Sequence, residues 1–423
     1  MSRVLFITSS PCHPWAGEGC RTRHILEALV ALGHQVDLVT IPSAAPFRVQ
    51  GVATHFVPRL PFCKKLPRGA SLRRGALDLL MLFKAVFLAG RARYDIIHGV
   101  ADCGAVAWLV GALTNRPFVY DVRDEDHGAP VAWFRRWTHA VASFLSRRAL
   151  RRADVIIGEN ADALAAPAQQ GCGARACVIP NLPALTGNVP APVLNLARTR
   201  YRAVLKRDAP PPPPDDSSGD GAPAVVQTHG RRPEDAAAMK VVTCVGGYDH
   251  FRGLAMFFNA VPYVLRENPD VRFVAAGGTG KQIACVRDAL EQAGVAGAVT
   301  FTGCLPQPEL AALLMVSDIL VAPCCAGSEM PMRVLDFLYL SKPIVVADTG
   351  FSKIMFSSHN AMVVGAEHEA LAKGILHLCR NPRLAEELAR KGHETLLVQH
   401  RTPEAFREAL RMCYQYGMTG ERG

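Results

Sequence analysis

The sequence predicts an α/β protein with two doubly wound parallel-sheet domains in series, and three observations carry that expectation. Short β-branched apolar runs alternate with helix-length segments through residues 1–185, and again through 240–395. A stretch rich in Pro, Asp, Ser and Gly separates the two blocks. Each block opens with a strand, a glycine-bearing turn and a helix, which is the start of a parallel βαβ unit.

In the first block Arg3–Thr8 (RVLFIT) reads as a strand, followed by the loop SSPCHPWAGEG. A helix from about Cys20 to Leu32 carries its apolar stripe at Ile25, Leu26, Leu29 and Val30, and Gly33 stops it. Gln35–Ile41 is the second strand; Ile96–His98, Phe118–Val122, Val155–Gly158 and Val178–Pro180 follow. Leu77–Gly90 contains Asp78 and Lys84 and is shorter than the roughly 20 residues of a membrane span, so it reads as a core or interfacial helix. MSRVLFITSS reads as a first strand and not as a signal peptide.

Residues 189–239 break the alternation. The run Pro210–Pro214 favours polyproline II, DDSSGDG favours disorder, and LARTRYRAVL reads as a transient helix in a linker without chemistry. The second block opens with a buried strand that begins at Lys240 and runs on through strands at Arg272–Ala276, Val299–Phe301, Ile319–Ala322, Pro343–Ala347 and Ala361–Val364, with helices between. The tail from Glu367 is helical, broken near Asn381–Pro382.

The 423 residues are 49% hydrophobic and 20% charged, values of globular chains, and long enough for two or three domains. The net charge of +10 gathers between Lys64 and Arg152. Arginines interleaved with Leu, Phe and Trp suit an anionic membrane surface or acceptor, or are solvated helix faces; no nucleic-acid module is present. The 13 cysteines have neither zinc nor disulfide spacing and read as thiols of a reducing cytoplasm.

Two stretches carry the chemistry. KVVTCVGGYDHFRGL (Lys240–Leu254) reads as a buried strand, a turn at Gly246 and Gly247, and a helix with Arg252 in its first turn. Such a unit aims backbone N–H groups and a helix N-terminus at whatever lies above the strand, which suits a phosphate. SEMPMRVLDFLYLSKPIVVADTG (Ser328–Gly350) places Asp336 on a neighbouring helix, where a carboxylate can accept from sugar or ribose hydroxyls. Together they point to a nucleotide-sugar site. GGTGKQ (Gly277–Gln282) is not a P-loop, because Ala275 holds the first glycine position and Gln282 the Ser/Thr position. No G-x-G-x-x-G follows the first strand, so NAD binding has no support.

In order and spacing, several pieces resemble the GT-B glycosyltransferases, most closely glycosyltransferase family 4. Asp95–His98 is similar to a "pDvvh" strand, Arg152–Ile156 to "rADrvi" and Val178–Asn181 to "vipNg". Phe273–Gly278 with Val299–Gly303 is similar to "lviaGdG … V.flG", and Leu335–Val346 to "lEAmacGkPVV". The resemblance implies a GT-B fold: two Rossmann-like domains, 1–188 on the acceptor side and 240–395 on the donor side, facing across a cleft. Residues 189–239 would link them, and 396–423 would form a helix crossing back to the first domain.

It also implies a retaining, metal-independent transfer, with a nucleoside-diphosphate sugar as donor and no further cofactor. The acceptor would be a glycan, glycolipid or small molecule of polysaccharide or cell-envelope assembly, at the cytoplasmic face of a membrane. The family's G-R-x-x-x-x-K-G motif puts Arg252 at the lysine position and Gly247 at the arginine position, so one of two cations is missing. Its E-x7-E motif puts Asp336 at the ribose-binding position and Ser328 at the sugar-binding position, with Glu329 adjacent. Met330 and Pro331 share that loop, and Ser341 stands where the family has glycine.

On the first domain, Gly17 and Gly19 match a glycine loop that approaches the donor, or form a simple turn. With Gly246, Gly247, Gly277 and Gly278 they complete the expected donor-binding set. FVYDVRD (Phe118–Asp124) matches a strand end where many members have His at the Arg123 position. Arg123 could hold an anion and Asp124 orient the acceptor, or the two could pair; His127 could substitute for the displaced His, or be an exposed loop residue that needs no role. Arg252, Glu329 and Asp124 are the expected catalytic residues. The departures keep a second reading open, a non-catalytic GT-B protein that binds a nucleotide, glycan or partner. An epimerase on the same fold would need acid/base groups that the sequence does not assemble.

Overall fold

The computed structural model describes residues 2–9, 17–42, 48–58, 72–123, 136–169, 171–172, 176–185, 189–203, 239–246, 251–323, 332–349 and 352–419. In chain order the elements begin β1 (Arg3–Ile7), α1 (Gly17–Ala31), β2 (Gln35–Thr40), β3 (Val52–Phe56), α2 (Leu72–Arg91) and β4 (Ile96–Val100). Next come α3 (Gly104–Thr114), β5 (Phe118–Asp121), α4 (Arg136–Arg152), β6 (Val155–Gly158), α5 (Ala165–Gln169), β7 (Ala176–Val178) and α6 (Ala191–Arg198). Then follow β8 (Lys240–Val245), α7 (Phe251–Glu267), β9 (Val271–Ala276), α8 (Gly280–Gln292), β10 (Val299–Gly303), α9 (Gln307–Val316) and β11 (Ile319–Ala322). The chain ends with α10 (Met332–Tyr339), β12 (Ile344–Ala347), α11 (Ser352–Met355), β13 (Met362–Val364), α12 (His368–Arg380), α13 (Pro382–Val398) and α14 (Pro403–Thr419). Two compact units result, Met1–Leu182 with His400–Gly423, and Pro183–Gln399.

The first unit is a seven-stranded sheet in the order β3-β2-β1-β4-β5-β6-β7, and all its pairings are parallel. Along β1 the side chains alternate between two apolar layers, as the period of a strand requires. Val4 and Phe6 pack with Ile25 and Leu29 of α1 and with Phe406, Leu410 and Tyr414 of α14. Leu5 and Ile7 pack with Met81 of α2, Val110 of α3 and Leu150 of α4. The sequence reading missed β3, whose residues VATHF are mostly half-buried at the sheet edge and lack a continuous apolar signal. His98 of β4 stacks on Phe6 at 4.4 Å, and its Nδ1 meets the Tyr414 hydroxyl at 2.7 Å.

The second unit is a six-stranded sheet ordered β10-β9-β8-β11-β12-β13, again parallel throughout. One of its faces packs Val242, Cys244, Phe273, Val321 and Val345 against Phe257 and Val261 of α7 and Ile375 of α12.

Two expectations are corrected here. Gly17 and Gly19 are not a loop: helix α1 begins at Gly17, so both lie in its first turn. LARTRYRAVL is not a transient helix in a structureless linker. Its first part belongs to α6, which packs on α9 in the second unit, followed by a π-helical turn at Thr199–Ala203. Tyr201 is buried there, and the Arg202 guanidinium donates to Val316 O at 3.0 Å and to Asp318 Oδ1 at 3.0 Å. Aromatic burial and a fixed guanidinium hold this stretch where local composition would not. Pro210–Pro214 and DDSSGDG lie outside the described residues.

Candidate functional site

Parallel sheets bind ligands beyond the carboxyl ends of their strands, at the point where strand order reverses. That point lies between β1 and β4 in the first unit and between β8 and β11 in the second. In the second unit the turns after β8 and β9 touch at this edge. Gly246 N–H donates to Ala276 O at 3.1 Å, and Gly277 N–H donates to Gly303 O at 2.8 Å. Gly277 has φ +118°, and a Cβ there would lie 2.0 Å from Gly246 O. Its glycine is therefore demanded by the backbone, whereas among the described residues a Cβ on Gly246 would meet only Leu254, at 3.8 Å. Gly278, φ +74°, continues the turn.

Two helices start beside these turns. Helix α7 begins at Phe251 and holds the backbone of Arg252 in its first turn. Helix α8 begins at Gly280 behind a capping box, in which Gln282 accepts the Thr279 N–H at 2.9 Å. Capping is what Gln282 does in the sequence that imitates a P-loop. The side chain of Arg252 and the residues Gly247, Ser328, Glu329, Met330 and Pro331 lie outside the described residues.

Asp336, expected at ribose hydroxyls, has a carboxylate without exposed surface. Oδ1 accepts the Ala184 and Leu185 N–H groups at 2.6 and 2.9 Å, and Oδ2 accepts from Arg333 Nη1 at 3.2 Å. Gln307 Nε2 donates to Ala184 O at 2.8 Å. Asp336 thus ties the segment where the second unit begins to α10, and one methylene less than Glu keeps its carboxylate close to that helix. Ser341, at the end of α10, has φ +51°, the left-handed conformation for which glycine is the favoured residue.

In the first unit the carboxyl edge holds a buried polar network that sequence reasoning missed. Arg21 of α1 donates to Asp121 through Nη2 at 2.9 Å and Nε at 3.2 Å, and through Nη1 to Ile179 O at 2.7 Å and Asn181 Oδ1 at 2.9 Å. Asn181 Nδ2 donates to Glu159, and Arg401 Nη1 donates to Asn181 O at 2.9 Å. Burial alone would raise the Asp121 carboxyl, but the charges of Arg21 and then Arg123 hold it below the usual carboxylate range. Burial brings Arg401 down to about 10. Arg123 follows β5 and donates from Nη2 to Thr22 Oγ1 of α1 at 3.2 Å. Asp124 and His127 lie outside the described residues. The signal for the network was present as an Asp ending a strand (FVYD) and an Arg opening a helix (GEGCR).

With this geometry in view, comparison with known proteins is specific. The family "Glycosyl transferase 4-like domain" matches residues 16–182, and "Glycosyl transferases group 1" matches 239–381. The first span contains every strand of the first sheet except β1, and the second contains the whole second sheet. The two models together match most of the chain, which is a glycosyltransferase of the group 1, family 4-like kind.

This glycosyltransferase is 26% identical over 165 residues to a GDP-mannose-dependent α-(1-6)-phosphatidylinositol monomannoside mannosyltransferase of Mycolicibacterium smegmatis. That match covers 37% of this chain and 43% of the relative, so it spans less than half the length of that protein. Among solved structures, Anabaena HepE in complex with UDP-glucose superposes with a TM-score of 0.68 at 15% identity, covering 98% of this chain and 100% of that one. Sucrose-phosphate synthase of Thermosynechococcus elongatus gives a TM-score of 0.68 at 18% identity, with both chains covered completely. At such identities these structures establish the GT-B fold. Among the described residues of the glycosyltransferase no three His, Cys, Asp or Glu side chains gather as a metal site would need, and no helix is long and apolar enough to cross a membrane.

Proposed function

We propose that this glycosyltransferase moves a sugar from a nucleoside-diphosphate sugar to an acceptor of polysaccharide, cell-envelope or glycolipid assembly. Transfer would retain the anomeric configuration and need no metal ion. One observation carries the reading. At the carboxyl edge of the second sheet, where β8 lies between β9 and the switch point, the turns at Gly246 and Gly277 touch, and two helices, α7 and α8, begin beside them. Backbone N–H groups and helix N-termini suit a diphosphate there, with Arg252 as the cation of the site. In the reaction the bond from the anomeric carbon to the diphosphate breaks while the acceptor oxygen bonds to that carbon. The acceptor's proton passes to the departing diphosphate. Arg252 and the helix N-termini would stabilise the developing negative charge, Glu329 or Ser328 would hold the sugar, and Asp124 would orient the acceptor.

A thermal-shift panel of UDP, GDP, ADP, dTDP and their sugar conjugates tests this on wild type and Arg252→Ala. Stabilisation by one nucleotide, lost in the variant, is the expected result; no shift from any of them would sink the donor site. HepE, solved with UDP-glucose, makes UDP the first choice.

A second reading, binding without turnover, is favoured by Asp336, whose carboxylate already serves the protein backbone. Release of free sugar or nucleotide from the donor would exclude it.

The location proposed is the cytoplasmic face of a membrane. Along α2 the exposed side chains Leu79, Val86, Phe87 and the 70%-exposed Phe83 form an apolar stripe, and α4 exposes Val141 and Phe144 with Arg147 and Arg148. Apolar groups flanked by arginines suit an anionic lipid surface.

A further inference from the structure

At the opposite edge of the first sheet, where β5 and β6 begin, lies a cavity of about 530 Å³ between the last turns of α3 and α4. Trp108, Asn115, Arg116, Arg148, Arg152 and Asp154 supply its polar and aromatic lining. None of the three arginine side chains makes a hydrogen bond or ion pair with a described residue. The only carboxylate of the lining, Asp154, accepts the Phe118 N–H through Oδ2 at 2.8 Å.

Arginines near helix C-termini can serve simply to offset helix dipoles, and magnitudes decide whether that suffices here. Each helix end carries about half an elementary negative charge, so two ends contribute about one. Asp154 contributes one more. Three guanidinium groups exceed that sum by about one positive charge and line one groove, with Arg148 and Arg152 exposed and Arg116 half-buried. Guanidinium forks bind phosphate oxygens in pairs, and an indole beside them offers a flat apolar wall.

We propose that this cavity is a second anion site, one that binds a phosphate ester. The cavity lies at the amino ends of the strands, whereas Gly17 and Arg123 lie at the carboxyl ends of β1 and β5, so it is distinct from the donor and acceptor loops. The phosphate belongs either to a lipid headgroup or to a soluble ester. Leu113 and Phe144, 69% and 63% exposed, sit on α3 and α4 within a turn of cavity residues and would meet the acyl region in the first case.

The test uses the full chain, with glycerol 3-phosphate and inorganic phosphate as soluble probes. Phosphatidylcholine vesicles with and without phosphatidylglycerol are the lipid probes. Wild type is compared with Arg116→Gln, with Arg148→Gln/Arg152→Gln, and with the control Lys373→Gln/Arg383→Gln, which removes the double variant's charge at exposed positions of α12 and α13. If the source is soluble, calorimetry finds binding of glycerol 3-phosphate that weakens at least tenfold in the cavity variants and less than twofold in the control. If it is a lipid, only vesicles carrying phosphatidylglycerol bind at physiological salt, with the same order among variants. Binding of no probe, or equal weakening in the control, overturns the site. Affinity for UDP is measured in parallel and stays within twofold in every variant, so failure of the donor reading is seen separately.

Discussion

Arg21 and Asp121 stand 100 positions apart in sequence and form a two-pronged ion pair whose side chains are 2% and 0% exposed. The remaining Arg21 donor holds the chain at Ile179 and Asn181, just before the first unit ends at Leu182. One guanidinium thus fixes the start of α1, the end of β5 and the exit of the chain from the unit.

Removing one member leaves the other charge buried and unsatisfied, which costs about 3–5 kcal/mol. Arg21→Met and Asp121→Leu should each lower the urea-unfolding free energy by that order. The double variant should lose clearly less than the sum of the two. Strict additivity would mean that the pair is not coupled, and would defeat this account of the network.

Asp336 is predicted to act on the backbone and not on the nucleotide. Asp336→Ala removes the acceptor of the Ala184 and Leu185 N–H groups and the ion pair with Arg333, at a cost of about 2–4 kcal/mol. Amide exchange at Ala184 and Leu185 should quicken more than tenfold, while affinity for UDP, measured under conditions where the variant stays folded, should change less than threefold. A large loss of UDP affinity without faster exchange would return Asp336 to the ribose.

These two sites mark where the sequence was legible. Strand and helix periods gave both sheets because parallel strands buried on two faces, such as Val4–Ile7, are continuous apolar runs. The edge strand Val52–Phe56 has no such run. The position of Asp336 on a helix was readable, but its partners at Ala184 and Leu185 are 152 and 151 residues away and come from tertiary structure. Arg21 was hidden for the same reason: a charged residue in a helix start reads as solvated until its partner on another strand is known. Gly277 was assigned to donor binding, yet its approach to Gly246 O already explains why it is glycine.

Acid should weaken the first unit through two buried imidazoles. Burial lowers His98 to about 4, and lowers His24 to about 3 with the charges of Arg23 and Arg21 adding to it. Both lie below their unfolded value of about 6.5, so the unfolded chain binds more protons between the two limits. Their stabilising contribution is complete above about 6.5 and is lost as pH falls toward 4, by about 3 kcal/mol for His98 alone. A series of urea titrations should show this slope, and His98→Gln should flatten it by up to one proton. Constant stability between pH 7 and 4.5 would contradict it.

Gly246 and Gly277 separate fold from binding. At Gly277 a methyl group meets the Gly246 carbonyl at 2.0 Å and the φ of +118° is hostile to any L side chain, so Gly277→Ala must shift the backbone of two strand ends. Loss of about 2–4 kcal/mol is expected, with poor expression as the visible sign. At Gly246 the added methyl reaches, among the described residues, only Leu254 at 3.8 Å, an ordinary contact, so Gly246→Ala should melt within 2 °C of wild type. If its N–H edge faces a diphosphate, the same methyl crowds the ligand, and affinity for the nucleotide should fall at least tenfold. An Ala variant that is stable and binds as tightly as wild type would remove Gly246 from the donor site and leave the turn as packing alone.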